Sequence, residues 1–321
     1  MAVLFSREWL NSRPWYLDLR WSLREGMGSA SRRWLIQRKI LKTPPMRTDS
    51  GGPAEIRVLT WRRDCLNLLW ALKSFYHFAG VKYPLYIHDG GLLPSNLAIL
   101  RHHFPDATIV AREEADSRVT EILQTRNLER CISYRQRNVA TRKLFDFFLL
   151  SNADYVISID SDIVFFKRPA ELCKPPAEFT KNYYNKDESY WYSLTAAELS
   201  SSFGIVPPGL INSGLFVVRR ESIDCDAIEE WLANPKLFAD TWVGEQTLHA
   251  LCSSAYGVEL LPDSYRVSTK AGLSPDLVCK HYPGFFRPLL YREGMAHLVE
   301  RGFLRALRAE GSMTEPTGRG R

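Results

Sequence analysis

The sequence predicts an α/β fold: a mostly parallel central sheet with helices on both faces. Three observations carry that expectation. Between residues 54 and 110, short apolar runs alternate with helical segments in the order β-α-β-α-β. Tyr155-Val156-Ile157-Ser158-Ile159 is almost unbroken in its apolar character, as a strand covered on both faces must be. No run of about 18 uninterrupted apolar residues exists, so a membrane-spanning helix is not expected.

Along the chain, Ile56 to Thr60 reads as the first strand, and Asp64 is placed to cap a helix from Cys65 to about Ala79, closed by Gly80. Tyr83 to His88 is a second strand ending at Asp89-Gly90-Gly91. A helix is expected over Ser95 to His103 and a third strand over Ala107 to Val110. The next helix lies around Ala140 to Leu150, with Leu144, Phe145, Phe148 and Leu149 as its apolar positions, and leads into the Tyr155–Ile159 strand. From Lys167 to about Pro208 the chain is polar, aromatic and proline-punctuated, and reads as a long insertion over the sheet. Regular signals resume with a strand at Asn212 to Val218, a helix near Thr247 to Ser253 and a strand at Val258 to Leu261. A last helix follows from the 3.6-residue spacing of Met295, Leu298, Val299, Phe303 and Ala306. Three parts result: a basic, Trp-rich extension and linker over 1–53, one domain over 54–310, and a disordered tail over 311–321.

The 321 residues, 45% hydrophobic and 24% charged, match an ordinary globular composition and suffice to bury a core. The net charge of +6 is concentrated at the N-terminus: residues 1–42 hold nine basic side chains against three acids, and the rest of the chain is balanced. Trp9, Trp15, Trp21 and Trp34 share that stretch. Tryptophan beside arginine suits an anionic membrane surface. Yet Trp15, Leu17, Leu19, Trp21 and Leu23 alternate like a strand, and Gly26-Met27-Gly28-Ser29 then breaks the run, so an extension packed on the domain by its tryptophans is the competing reading. No nucleic-acid-binding motif accompanies the basic stretch, and nucleic acid is not expected as a partner. The six cysteines are scattered without a C-x-x-C pair, the start meets a charge before an apolar leader can develop, and no N-x-[ST] sequon occurs. A reducing cytoplasm is the expected compartment, with peripheral attachment to the inner membrane face if the extension binds lipid.

Asp160-Ser161-Asp162, at the end of the buried strand, is the most informative triplet. Two carboxylates on one side of an extended chain repel each other and lose hydration beside an apolar strand. A divalent cation such as Mg²⁺ or Mn²⁺, which takes oxygen ligands, resolves that conflict. In open α/β sheets ligands bind at the carboxyl ends of the strands, where this triplet lies.

Here the sequence resembles the nucleotide-sugar glycosyltransferases of the GT-A fold, most closely the family 8 type. The resemblance covers about Glu55 to Leu290. It rests on Tyr86-Ile87-His88-Asp89-Gly90, Val156 to Asp162, Ile211-Asn212-Ser213-Gly214-Leu215, Gly244-Glu245-Gln246, Leu261-Pro262-Asp263 and His281-Tyr282-Pro283-Gly284, in shared order and spacing. It implies a hexosyltransferase that moves a sugar from a nucleoside diphosphate donor, a UDP-sugar, to a glycan or lipid-linked acceptor with retention of anomeric configuration. Asp160, Asp162 and His281 would then hold Mn²⁺ or Mg²⁺. Lys143 would meet the nucleotide or diphosphate, and Asn212, Gly214 and Gln246 would face the donor sugar. Thr60, Asp89, Ser161, Gly284 and Arg287 complete the implied donor-binding set, and Glu245 with Gln246, Asp160 and Asp162 the implied catalytic set. Two departures stand out: Glu245-Gln246 where the family has Asp-Gln, and Arg287-Pro288-Leu289 where it has Lys-Pro-Trp. Arginine can still grip phosphate, with a forked geometry.

Other readings compete. Asp160-Ser161-Asp162-Ile163-Val164 also fits the aspartyl nucleophile pattern of haloacid-dehalogenase-like phosphatases, but it lies far from the domain start and no later acidic pair accompanies it. A nucleotidyltransferase would carry a glycine-rich loop where this chain has Thr60-Trp61-Arg62-Arg63. A non-catalytic sugar-nucleotide or glycan-binding protein of the same fold stays open. An inverting transferase would need a carboxylate base, and Glu245, Asp240 and Asp263 are available for it.

Overall fold

The computed structural model describes residues 23, 26–48, 52–206, 209–240 and 243–314. Ten strands form one sheet: β1 Ala54–Thr60, β2 Leu85–Asp89, β3 Thr108–Val110, β4 Tyr155–Ile159, β5 Ile163–Phe165, β6 Asn182–Lys186, β7 Ile211–Arg219, β8 Val258–Leu260, β9 Tyr265–Val267 and β10 Cys279–His281. Their order is β3-β2-β1-β4-β7-β6-β9-β10-β5, with β8 beside β6. Strands β3, β2, β1 and β4 are parallel, as expected. Strand β7 runs antiparallel to both β4 and β6, and β5 antiparallel to β10.

Period-2 burial explains the layering. On β4 and β7, Ile157, Ile159, Leu215 and Val217 face one core, while Val156, Phe216 and Val218 face the other. Helix α2 (Cys65–Ala79) covers the first face with Leu68, Leu69, Trp70 and Leu72. Helices α3 (Arg142–Leu149) and α4 (Gly244–Tyr256) cover the second, through Leu144, Phe145, Leu248 and Leu251. Gly80 ends α2 in the left-handed conformation its lack of a Cβ permits, at φ +69°.

Part of the expected N-terminal extension packs on the domain. Helix α1 (Met27–Gln37) and the turn after it bury Ile36 and Ile40 in the first core. Trp70 donates its indole N–H to the Gln37 carbonyl at 3.0 Å, and Gln37 Nε2 donates to Asn67 Oδ1 at 2.6 Å. The linker segment is pinned too, since buried Lys73 donates to Thr43 Oγ1 (2.9 Å) and to the Pro44 carbonyl (2.5 Å). The alternating tract at Trp15–Trp21, and Trp9 before it, lie outside the described residues.

Several expectations need correction. The 167–208 segment is not an insertion over the sheet: it supplies β6, between β7 and β9. Its sequence, Asn-Tyr-Tyr-Asn-Lys, shows no apolar alternation, and it opens on a buried asparagine held by polar partners. Asn182 Nδ2 donates to Ser222 Oγ and Ser253 Oγ, and its Oδ1 accepts the Arg219 N–H. The C-terminal helix is two helices, α5 (Met295–Glu300) and α6 (Phe303–Thr314), parted at Gly302 with φ +80°. Its 3.6-residue period survives because both pieces line one core. Helix α6 also carries regular structure past Gly311, where a disordered tail was expected; residues 315–321 lie outside the description. Between β3 and α3 the chain forms two helices, Arg112–Thr125 and Glu129–Arg137, which no strong periodicity announced.

Candidate active site

The carboxyl ends of β1, β2 and β4 share one edge of the sheet, where Thr60 pairs with Asp89. Asp160 follows β4 directly, and its N–H is held by the Gly214 carbonyl of β7 at 2.8 Å. The chain then turns instead of continuing extended, with the Ile163 N–H donating to the Asp160 carbonyl at 3.2 Å. That turn, and not the strand pleat expected from spacing, brings the two carboxylates together. Strand β5 leaves the turn and pairs antiparallel with β10, Ile163 opposite His281, and the Tyr282 N–H donates to the Asp162 carbonyl at 3.0 Å. Two residues 119 positions apart in sequence are thereby fixed side by side. One ligand atom each from Asp160, Asp162 and His281 lies within 4.8 Å of the others.

Hydrogen bonds orient the imidazole. Asn212 Nδ2 donates to Asp187 Oδ2 (2.8 Å), which fixes the amide with Oδ1 toward His281. That oxygen accepts the Gly214 N–H at 3.0 Å and lies 3.0 Å from His281 Nδ1, which must therefore carry the proton. Nε2 is left with its lone pair, 3.1 Å from Asp162 Oδ1. The pair lacks hydrogen-bond alignment, and this buried carboxylate oxygen has no hydrogen-bonding partner. Two lone-pair donors facing each other without a proton between them, beside a second carboxylate, suit a cation.

Positive charge frames the acids. Arg287 donates Nε–H to Asp162 Oδ2 at 2.8 Å, and its Nη1 lies 3.0 Å from both oxygens of Asp64. Lys143 Nζ donates to Asp160 Oδ1 and to the Ser213 carbonyl, each at 3.1 Å. Burial alone would raise the Asp162 carboxyl, but the Arg287 guanidinium outweighs it and holds the group well below the usual carboxylate range. For Asp160 burial prevails over Lys143, and the neighbouring Asp162 adds to it, so that pKa is raised. Burial opposes the charge on Lys143 as well, yet Asp160 and Glu245 hold it protonated. A cavity of about 130 Å³ opens between these groups, lined also by Leu59, Trp61, Ala140 and Ser161.

The remaining candidates are placed as follows. Ser213 N–H donates to Gln246 Oε1 (3.1 Å) and Ser213 Oγ to Glu245 Oε2 (2.9 Å), so the start of α4 is tied to β7 behind the acids. Glu245 Oε1 faces His249 Nε2 at 3.1 Å. Burial would raise the Glu245 carboxyl, but Lys143, His249 and Ser213 together lower it. Gln246 Nε2 donates to the Trp191 carbonyl at 2.9 Å. Thr60 is buried, with Oγ1 unpaired, between two cavity-lining neighbours. Asp89 and Gly284 are not brought to the cavity. Asp89 Oδ1 accepts the N–H groups of Gly91 and Leu92, an Asx turn, and Gly284, at φ +55°, forms the turn that leads into Arg287. Asp64 was read as a helix cap; its side chain caps nothing and holds Arg287 instead. Asp187 and Trp61 also escaped the sequence reading: a lone carboxylate in a polar tract and a tryptophan after a strand give no pattern that marks them.

No protein-family model matches this chain, and neither does any curated protein sequence. Solved structures do. The galactosyltransferase LgtC in complex with donor and acceptor sugar analogues is similar at a TM-score of 0.50 and 14% identity, covering 80% of this chain and 95% of that one. An active-site mutant of LgtC is similar at a TM-score of 0.51 and 14% identity, covering 72% and 87%. The fold is that of the GT-A glycosyltransferases. At this identity the likeness speaks for the fold alone, and the site must be argued from its own geometry.

Proposed function

We propose that this protein is a metal-dependent glycosyltransferase that moves a sugar from a nucleoside diphosphate donor, a UDP-sugar, to a glycan or lipid-linked acceptor. The observation that carries the proposal is the convergence of Asp160, Asp162 and a tautomer-fixed His281 at the carboxyl edge of the sheet. These three would hold Mn²⁺ or Mg²⁺, which when bound supplies positive charge against the departing diphosphate. Arg287 is forked and charged at the cavity wall and would bind phosphate oxygens there. Lys143, between Asp160 and the Ser213 carbonyl, adds a second cation whose field reaches the same space. Ser161 and Trp61 line the cavity beside them, where Trp61 offers a flat apolar face to a base or sugar. Gln246, locked by two partners, and Asn212, locked by three, would orient hydroxyls of the donor sugar.

A retaining transfer is the reading we favour, since none of the three carboxylates considered as a base is placed to serve. Glu245 is engaged by Ser213 and faces His249. Asp240 Oδ1 accepts the Val243 N–H. Asp263 is 84% exposed and faces Lys186. All six cysteines are free thiols, five of them buried, which favours a reducing compartment such as the cytoplasm. The basic residues of 1–42 would bring the protein to an anionic membrane surface; among the described residues no helix is long and apolar enough to cross one.

The test is release of UDP from labelled UDP-sugars with Mn²⁺, comparing the protein with its Asp162→Ala variant. Turnover that depends on Mn²⁺ and vanishes in the variant is expected. Tight donor binding without turnover would replace the enzyme with a binding protein, and phosphate release from a simple phosphomonoester would favour the aspartyl-phosphatase reading.

A further inference from the structure

Away from the cavity, the first turns of the chain and its last helix build a second surface. A groove of about 590 Å³ runs between α1 with its following turn and the Val299–Arg308 segment. Trp34 and Leu35 stand at its edge, 57% and 61% exposed, on a helix whose other side is buried in the core through Ile36. Arg38, Lys39 and Lys42 from one wall and Arg305 and Arg308 from the other line it, all five exposed, and no carboxylate does. Among the described residues, Lys39, Lys42, Arg305 and Arg308 form no ion pair. Five cations converging without counter-charge repel one another, which the fold tolerates although it gains nothing internal from it.

We propose that this groove docks the protein on an anionic phospholipid bilayer, its cations meeting headgroup phosphates and Trp34 with Leu35 entering the interface. Two features select a bilayer over nucleic acid. Two adjacent, exposed apolar side chains beside the cations match the interfacial region, where tryptophan concentrates. The Arg38 guanidinium also lies 4.5 Å from the centroid of the Trp34 ring, taking one of the two faces on which a base could stack. The site goes beyond a basic N-terminal tail: half of it belongs to the folded C-terminus, so it is preformed by the packing of α1 against the C-terminal helices.

The experiment is co-sedimentation of the full chain with phosphatidylcholine vesicles, with and without about 30% phosphatidylglycerol, at low and high salt. It reads no transfer activity, so its failure leaves the transferase reading standing. Binding only to anionic vesicles, weakened by salt, is expected. Arg305→Glu/Arg308→Glu should lower it at least tenfold, at about fivefold per cation lost. Trp34→Ser/Leu35→Ser, which alters exposed side chains alone, should lower it severalfold with an unchanged circular dichroism spectrum. Undiminished binding by both variants, equal binding to neutral vesicles, or retention on RNA or self-association in place of vesicle binding would each overturn the proposal.

Discussion

Gly214 lies against the imidazole of His281: a Cβ built on it would fall 2.9 Å from Nδ1 and nearer still to Cε1. Only a residue without a side chain lets β7 pass this close to β10's terminal histidine. Gly214→Ala should therefore push the ring off Asp162 and cost about 1–3 kcal/mol of stability by overpacking. The expected signature is weaker Mn²⁺ binding by titration calorimetry, together with a lower urea midpoint. Unchanged Mn²⁺ affinity would count against His281 as a ligand.

Asp187 sets the Asn212 amide, and the amide sets the imidazole tautomer. Such outer partners affect metal affinity by about 10–100-fold. Asp187→Ala should lower Mn²⁺ affinity within that range, whereas Asp187→Asn, whose amide oxygen can still accept from Asn212, should stay near the parent protein. Equal affinity in all three would remove Asp187 from the site.

Arg287 is held by two acids, so either alone keeps its charge compensated. Asp64→Asn and Asp162→Asn should each destabilise the fold modestly, by about 1–2 kcal/mol, and the double variant by more than their sum. Chemical denaturation of the four proteins gives the coupling directly. Strict additivity would mean that Arg287 does not depend on the pair.

Burial of Lys73 lowers its pKa from the ordinary lysine value to about 7. Between pH 7 and the unfolded value near 10.4, the unfolded chain binds a proton that the folded one does not, so this residue makes stability rise with pH over that window; below pH 7 both states are protonated and the slope vanishes. Lys73→Met removes the contribution. The stability difference, parent minus variant, measured by urea unfolding at several pH values between about 6 and 9, should increase above pH 7 by up to about 1.4 kcal/mol per pH unit. A pH-independent difference would show that Lys73 does not titrate there.

Legibility followed the physics of each element. Strands β1 and β4 and helix α2 were readable because burial on both sides writes near-continuous apolar runs into the sequence, bounded by turn and cap residues. Strand β6 was not, since its buried Asn182 is satisfied by Ser222, Ser253 and Arg219, partners far off in the chain. Asp160 and Asp162 could be suspected from charge beside an apolar strand; His281, Lys143 and Arg287 acquired meaning only through resemblance, because β10 pairing with β5 is invisible locally. Asp64 shows the opposite failure, in which a plausible local role hid a long-range one.

The stitching of β5 to β10 also orders events in time. During synthesis the amino-terminal strands and both aspartates emerge well before residues 279–287, and domains generally fold from that end. A nascent or truncated chain thus exposes two acids with neither imidazole nor guanidinium beside them. The three converging ligand atoms of Asp160, Asp162 and His281 can meet only after residues 279–281 have left the ribosome.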